Sequence, residues 1–175
     1  MERERYRIPF LTPQNAAKPA PPVITISNVL KPAHIDLNLD VSTLQEAILH
    51  VATRLRGDPR ILEWNDFYSS LNSGNAGVTG GSVMKLCVPH VRTNSVTAML
   101  MGVGRSDKGI VVPGEKQPVH FVFAIGVPVA MASDYLRIVG SLARIFRAPE
   151  NEAPLRSLAT PAEFLEFLDE CAMRL

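Results

Sequence analysis

The alternation of apolar and polar residues predicts the first two regular elements of the chain. Between residues 34 and 41, apolar side chains occupy every second position, which is the period of a half-buried strand. The period then changes, because residues 44–55 carry apolar side chains three and four positions apart, as one face of a helix requires. Ser42 with Gln45 predicts a capping box at the start of this helix, and Gly57-Asp58-Pro59 predicts its end.

The same reasoning divides the rest of the chain. We predict further helices over residues 61–71, 133–146 and 160–174. Further strands are predicted over residues 83–91, 96–103 and 118–127, with a glycine-rich loop at 72–81 and a turn at 104–109. The helix over 133–146 is expected to turn inward Leu136, Val139, Leu142, Ala143 and Phe146. Strands that cluster centrally among helices predict an α/β (α+β) fold, a single domain with a mixed central sheet flanked by helices.

The first 22 residues differ in composition from the rest of the chain. They hold five of the 14 prolines, and they carry four basic residues against two acidic ones. Residues 23–175 carry 14 basic and 15 acidic residues. We therefore predict an extended proline-rich arm at residues 1–22 and one domain at residues 23–175. A plain tail and a docking segment are both open interpretations of the arm.

The overall composition excludes several classes of protein. A formal net charge of +1 over 175 residues argues against a broad nucleic-acid binder or a binder of anionic membranes, since both use a basic excess. The nearly apolar stretch at residues 119–132 is too short for the ~20 residues of a membrane helix, so no membrane insertion is expected. Two cysteines cannot build a disulfide framework, and the charged N-terminus does not resemble a secretory signal. We expect a cytoplasmic protein.

The most informative local feature is a histidine at the end of a predicted strand. A glycine-rich loop leads into the strand that ends in Val88-Pro89-His90, and Pro89, which has no N–H, should lie at the end of that strand or on a sheet edge. Glycine-rich backbone can direct N–H groups at an anion, and a neutral imidazole is nucleophilic near pH 7. Such a site could accept a phosphoryl group, although a hydrogen-bonded structural histidine fits the local pattern too. Cys87 and His90 have the spacing of half a zinc site, but no second ligand pair accompanies them, so no metal is expected.

Several of these pieces occur in the order found in a known family. The segment Val88-Pro89-His90-Val91-Arg92 resembles the phosphorylation motif of enzyme IIA of the bacterial phosphotransferase system, of the fructose, mannitol and nitrogen-regulatory type. The resemblance covers roughly residues 26–170, including Gln117-Pro118-Val119, the Tyr135-Leu136 helix and the last helix. It implies that His90 accepts a phosphoryl group from a phosphohistidine carrier protein (HPr-like), with no metal and no cofactor at this step. It also implies an enzyme IIA type 2-like mixed sheet.

The resemblance assigns roles to further residues and exposes departures. Arg92, Thr79, Gly80 and Tyr135 match positions expected to bind the phosphoryl group. Tyr135 stands where the family commonly has a second histidine, and a tyrosine can donate a hydrogen bond but carries no positive charge. Lys85 stands where a family glycine is usual. Two interpretations follow: a phosphotransferase component that signals through regulatory targets or sugar permease components, or a degenerate module of the same fold that binds partners without phosphotransfer. A homodimer is left open.

Overall fold

The computed structural model describes residues 23–74, 76–80 and 84–174. Its helices are α1 (Ile26–Val29), α2 (Leu44–Thr53), α3 (Trp64–Ser73), α4 (Ala132–Arg147), α5 (Glu152–Ser157) and α6 (Pro161–Met173). Its strands are β1 (Leu30–Asp36), β2 (Ala76–Gly80), β3 (Lys85–Thr93), β4 (Leu100–Ile110) and β5 (Val119–Pro128). Short 3-10 turns occupy Val129–Met131 and Pro149–Asn151. The predicted arm at residues 1–22 lies outside the described residues.

The five strands form one mixed sheet, in the order β1-β4-β5-β3-β2. The outer pairs differ in direction, since β1 runs parallel to β4 whereas β2 runs antiparallel to β3. In the centre β5 is antiparallel to β4 and parallel to β3. This arrangement confirms the predicted mixed sheet flanked by helices.

Two apolar layers cover the sheet, one on each face. Along β5 the side chains alternate between them: Phe121, Phe123 and Ile125 belong to one layer, whereas Val122 and Ala124 belong to the other. The first layer is completed by α1, α4, α5 and α6, and the second by α2 and α3. Because a central strand is buried on both faces, β5 is apolar at nearly every position and shows no polar alternation.

Helix caps explain where two of the helices begin. At α6 the Thr160 side chain accepts from the Glu163 N–H, and the Glu163 carboxylate accepts from Thr160, so the two residues form a capping box. At α2 the predicted pair was wrong by one residue, because Thr43 and Glu46 form the capping box in place of Ser42 and Gln45. Both pairs have the spacing that the box requires, so the sequence alone could not choose between them.

Four other local predictions need correction. Residues 76–80 of the predicted loop form β2, and the predicted turn at 104–109 lies inside β4, where the pairing with β5 is shifted by a bulge. The first strand begins at Leu30 and ends at Asp36, before the alternation does. In α4 the inward face carries Ile138, Leu142, Ile145 and Phe146, whereas Leu136 is 67% exposed.

Within the described residues, no helix has both the length and the apolar character to cross a membrane.

Candidate functional site

The local course of β3 determines which face of the sheet carries His90. Leu86 and Val88 belong to the layer under α4, whereas Cys87 belongs to the layer under α2 and α3. Side chains alternate along a strand, so His90 and Arg92 share the α4 face with Val88. On the β5 side His90 is paired in register with Ile125. The imidazole therefore lies on the helix-covered face, near the carboxyl end of β3.

Pro89 lies where one of the two ladders of β3 stops. It is in register with Ala76, the first residue of β2, so within the described residues the β2 ladder extends no further along β3. The β5 ladder continues to Thr93. The expectation that Pro89 lies at an end or an edge thus holds for the β2 side only, since β3 itself is an interior strand.

The orientation of the His90 ring is fixed by the preceding backbone. Its Nδ1 lies 3.2 Å from the carbonyl oxygen of Val88, and the ring is partly exposed. A carbonyl oxygen can only accept, so this contact selects the tautomer in which Nδ1 carries the proton and donates it. The lone pair then lies on Nε2, at the opposite side of the ring. Among the described residues Nε2 makes no hydrogen bond.

Tyr135 covers one face of the imidazole. The two rings stack with their centroids 4.6 Å apart and an angle of 26° between their planes. Burial raises the pKa of the Tyr135 phenol above its ordinary value, so the hydroxyl stays protonated at neutral pH and can donate a hydrogen bond. The stacking also holds the His90 ring in one orientation.

Arg92 places a positive charge on the same face of β3 as His90. It is two residues beyond His90, and its side chain is exposed. One guanidinium nitrogen, Nη2, donates to the carbonyl oxygen of Val129 at 3.3 Å. Val129 begins the 3-10 turn that precedes α4, so this bond ties the end of β3 to the start of the helix that carries Tyr135.

The structure does not bring the backbones of Thr79 and Gly80 to His90. Thr79 is in register with Leu86, and Gly80 with Lys85. Four residues along a strand separate Leu86 from His90, a distance of roughly 13 Å. Thr79 and Gly80 belong to β2, but their side-chain surroundings lie outside the described residues.

The side chains of Lys85 and Cys87 make their contacts away from His90. The Lys85 ammonium pairs with the Glu115 carboxylate, away from His90 in the register of β3. The Cys87 side chain is fully buried on the opposite face, and burial raises the pKa of its thiol to about 12. Among the described residues, no three His, Cys, Asp or Glu side chains come together as metal ligands.

Two features of this site were missed by sequence reasoning. The Tyr135 ring stacks on the histidine, whereas the sequence suggested only a hydroxyl donor, and the Val88 carbonyl selects the tautomer. The topology could have indicated the first. Parallel strands end at the same sheet edge, so the helix that follows β5 must begin beside the carboxyl end of β3, where His90 lies.

Comparisons with known proteins agree with this architecture. Residues 28–171 match the family described as "Phosphoenolpyruvate-dependent sugar phosphotransferase system, EIIA 2". A comparison with curated proteins gives no match. Among solved structures, the nitrogen regulatory protein IIA-Ntr from Neisseria meningitidis is similar with a TM-score of 0.69 and 21% identity, over 82% of this chain and 98% of that one.

Two further similar structures come from Escherichia coli. IIA mannitol has a TM-score of 0.64 and 17% identity, over 79% of this chain and 97% of its own. A chain from the complex of enzyme IIAMTL with phosphorylated enzyme IIBMTL has a TM-score of 0.65 and 17% identity, over 80% and 98%. At these identities the solved structures establish the fold, and the match over residues 28–171 establishes the family. The chain therefore belongs to the EIIA 2 family of the phosphoenolpyruvate-dependent sugar phosphotransferase system.

Proposed function

We propose that this protein accepts a phosphoryl group on Nε2 of His90 from a phosphohistidine carrier protein, and that the phosphorylated form binds its partners differently. The observation that carries the proposal is the contact between Nδ1 of His90 and the Val88 carbonyl oxygen at 3.2 Å. Because this contact places the proton on Nδ1, the nucleophilic lone pair is on the nitrogen that the strand backbone leaves accessible.

The chemistry is a displacement at phosphorus between two imidazoles. The Nε2 lone pair of His90 forms a new N–P bond while the N–P bond of the donor breaks, and the electron pair of the broken bond returns to the donor imidazole. The Nδ1 proton stays on His90, where the Val88 carbonyl oxygen stabilises the positive charge that the ring gains. Such transfers depend chiefly on positioning and on stabilising charge. The stacked Tyr135 ring serves the positioning.

Two side chains support the transferred group in this proposal. Arg92 provides a fixed positive charge on the same face, and its guanidinium has five N–H donors, of which one bonds to Val129. Tyr135 provides a neutral donor. We assign phosphate binding to this pair first, because Thr79 and Gly80 are in register with residues roughly 13 Å and more before His90.

A dianionic group on His90 changes the charge of a surface that also exposes apolar side chains. Leu136, next to Tyr135 on α4, is 67% exposed, and Val129 is 47% exposed. A phosphoryl group beside them adds about two negative charges at neutral pH, which alters binding of any partner that uses this surface. The solved E. coli complex pairs enzyme IIAMTL with a phosphorylated IIB protein. A IIB-like permease component or a regulatory target is therefore the class of partner that we propose.

The test is transfer from a phosphorylated carrier protein to the full chain, followed by intact-mass measurement. We expect a gain of one phosphoryl group that is lost in acid and retained in alkali, as for a phosphoimidazole. His90→Gln should abolish the gain. His50→Gln is the matched control, because His50 is an exposed histidine on α2 in the other layer, and it should be labelled like the unmodified chain. Label that persists in His90→Gln would contradict the proposal.

A second candidate function is partner binding without phosphotransfer. The observation that favours it is the Tyr135 ring stacked 4.6 Å from the His90 ring, at the position where the sequence resemblance implied a second histidine. The same experiment separates the two candidates. Retained binding of the unphosphorylated carrier protein, measured by isothermal titration, together with no mass gain would support the binding module. A mass gain that depends on His90 would exclude it as the main function.

A further inference from the structure

An apolar groove lies on the α4 and α6 side of the domain, and His90 is not among the residues that line it. It encloses about 320 Å³ between residues 23–27, Ile138 and Ser141 of α4, and the end of α6. Two of its lining side chains are large, apolar and strongly exposed, Val23 at 69% and Met173 at 79%. Exposed apolar surface that lines a groove is typical of a binding site.

An acidic cleft continues this groove along α6. It is lined by Glu166, Asp169 and Glu170, and it shares Asp169 and Met173 with the apolar groove. On the other side, a cleft on α4 shares Val23 with the groove and is lined by Arg137 and Arg144. The groove therefore has an acidic flank on α6 and a basic flank on α4. A basic occupant is attracted to the α6 flank, and an acidic one to the α4 flank.

The segment that precedes Val23 has the complementary chemistry. Residues 5–11 read Arg5-Tyr6-Arg7-Ile8-Pro9-Phe10-Leu11, so two basic side chains stand just before an apolar run, and residues 1–22 carry four basic residues against two acidic ones. A basic apolar peptide is attracted to the α6 flank and repelled from the α4 flank. Its chain continues directly into Val23, at the rim of the groove.

We propose that residues 5–11 dock on the apolar groove and the adjoining acidic cleft of α6 in the same molecule. The eleven residues between Leu11 and Val23 can span up to roughly 30 Å at about 3 Å per residue. The 13-residue helix α6 is about 20 Å long at about 1.5 Å per residue, so the whole of it is within reach. Tethering at the rim raises the effective concentration of the segment at the groove, which favours its own chain over a free peptide.

Paramagnetic broadening in the full-length protein tests the docking. Ala162 lines the acidic cleft and is exposed, so Ala162→Cys can carry a nitroxide label, whereas the two native cysteines are buried. We expect loss of amide signal that is strongest at residues 5–11 and weaker at residues 12–22. An undocked chain gives the opposite gradient, in which broadening falls steadily with distance from Val23, and that result would overturn the proposal.

Matched variants identify the side of the groove and the molecule involved. A label at Leu136→Cys, in the cleft on the α4 side, should broaden residues 5–11 less than the label on α6. Glu166→Lys should reduce the broadening of residues 5–11 by the label on α6. Adding Arg5→Glu and Arg7→Glu to the Glu166→Lys protein should restore that broadening. Glu150 lines neither the apolar groove nor the acidic cleft, so Glu150→Lys should leave the broadening unchanged. Broadening that appears only between nitroxide-labelled and isotope-labelled copies would mean docking on a second copy and would contradict the same-molecule proposal.

Discussion

The site around His90 and the cluster around Asp58 use charge in opposite ways. The Asp58 carboxylate is 1% exposed and meets three basic side chains: Arg60 through two nitrogens, Lys31 at 3.0 Å and His34 at 3.5 Å. Around His90, the described contacts are an aromatic ring, a backbone carbonyl and one exposed arginine nearby. The protein surrounds a buried anion fully in the Asp58 cluster, whereas at the proposed phosphoryl site the described hydrogen bonds use one Arg92 nitrogen and leave its other donors unbonded.

The Asp58 cluster connects three parts of the fold. Arg60 donates to the Met99 carbonyl oxygen at 2.9 Å and to the Val29 carbonyl oxygen at 3.4 Å, while its other nitrogens hold Asp58. The hydrogen bonds that Asp58 accepts from Arg60 are the main reason that the pKa of Asp58 lies far below its ordinary value. The segment after α2 is thereby fixed to α1 and to the approach to β4.

The largest effect that we predict is on stability. Asp58→Ala leaves Arg60, Lys31 and His34 without their common partner, and removal of one member of a buried ionic group costs about 3–5 kcal/mol. Urea denaturation should show the loss as a lower midpoint at pH 7. Glu150→Ala, an exposed carboxylate outside the cluster, is the control and should change the free energy of unfolding by no more than about 0.5 kcal/mol. Equal midpoints for the two variants would contradict the assignment.

The two regions also differ in how far the sequence predicts them. The helix at 133–146 and the strand at 118–127 follow from periodicity, which is local, and the His90 motif was identified from a short run of residues by its resemblance to a family. His34 was identified only as the first residue of an alternating strand, yet it is 7% exposed, and Asp58 was identified only as part of a helix end. The cluster that holds them depends on contacts between distant residues, His34 with Asp58 across 24 positions and Arg60 with Met99 across 39, and no single-sequence pattern encodes such contacts.

The second prediction adds positive charge to the site around His90, which has fewer charged contacts than the Asp58 cluster. Tyr135→His replaces the neutral phenol with an imidazole that can donate a charged hydrogen bond to a phosphoryl group on His90. A charged hydrogen bond contributes about 1.5–3 kcal/mol, against about 0.5–1.5 kcal/mol for the neutral one that it replaces, so the equilibrium of transfer from the carrier should shift toward this protein by about five- to tenfold. The equilibrium fraction of phosphorylated chain, measured by intact mass, checks this. Tyr135→Phe keeps an aromatic ring and should move the equilibrium the other way, and an unchanged or increased phosphorylated fraction in Tyr135→Phe would contradict a supporting role of the hydroxyl.

The third prediction removes the positive charge that stands two residues beyond His90. Arg92→Gln keeps a hydrogen-bond donor for the Val129 carbonyl oxygen but loses the charge. Because Arg92 is exposed and screened by solvent, we expect a weakening of only about 0.5–1 kcal/mol, which is about two- to fivefold in the transfer equilibrium. The effect should shrink at high salt. An unchanged equilibrium at low salt would exclude Arg92 from phosphate binding.

The smallest predicted effect is a change in how stability depends on pH at the Asp58 cluster. Burial is the main cause that lowers the pKa of His34 below 6.5, and it outweighs the raising effect of Asp58, while Arg60 and Lys31 lower the pKa further. The folded state therefore binds this proton less readily than the unfolded state, so His34 makes the protein less stable as pH falls below 6.5. The slope from this one group is at most about 1.4 kcal/mol per pH unit.

His34→Gln and His34→Phe remove the titrating group in two different ways. One keeps a polar side chain and the other an aromatic one, so their stabilities at pH 7 should differ. Both should nevertheless lose less stability than the unmodified protein between pH 6.5 and pH 5, in urea denaturation at matched ionic strength. Asp58 itself contributes no slope in this window, because its carboxyl is ionised in both states well above pH 4. A full unmodified slope in both variants would mean that His34 accepts its proton as readily in the folded protein as in the unfolded chain, and that the Asp58 carboxylate compensates its burial completely.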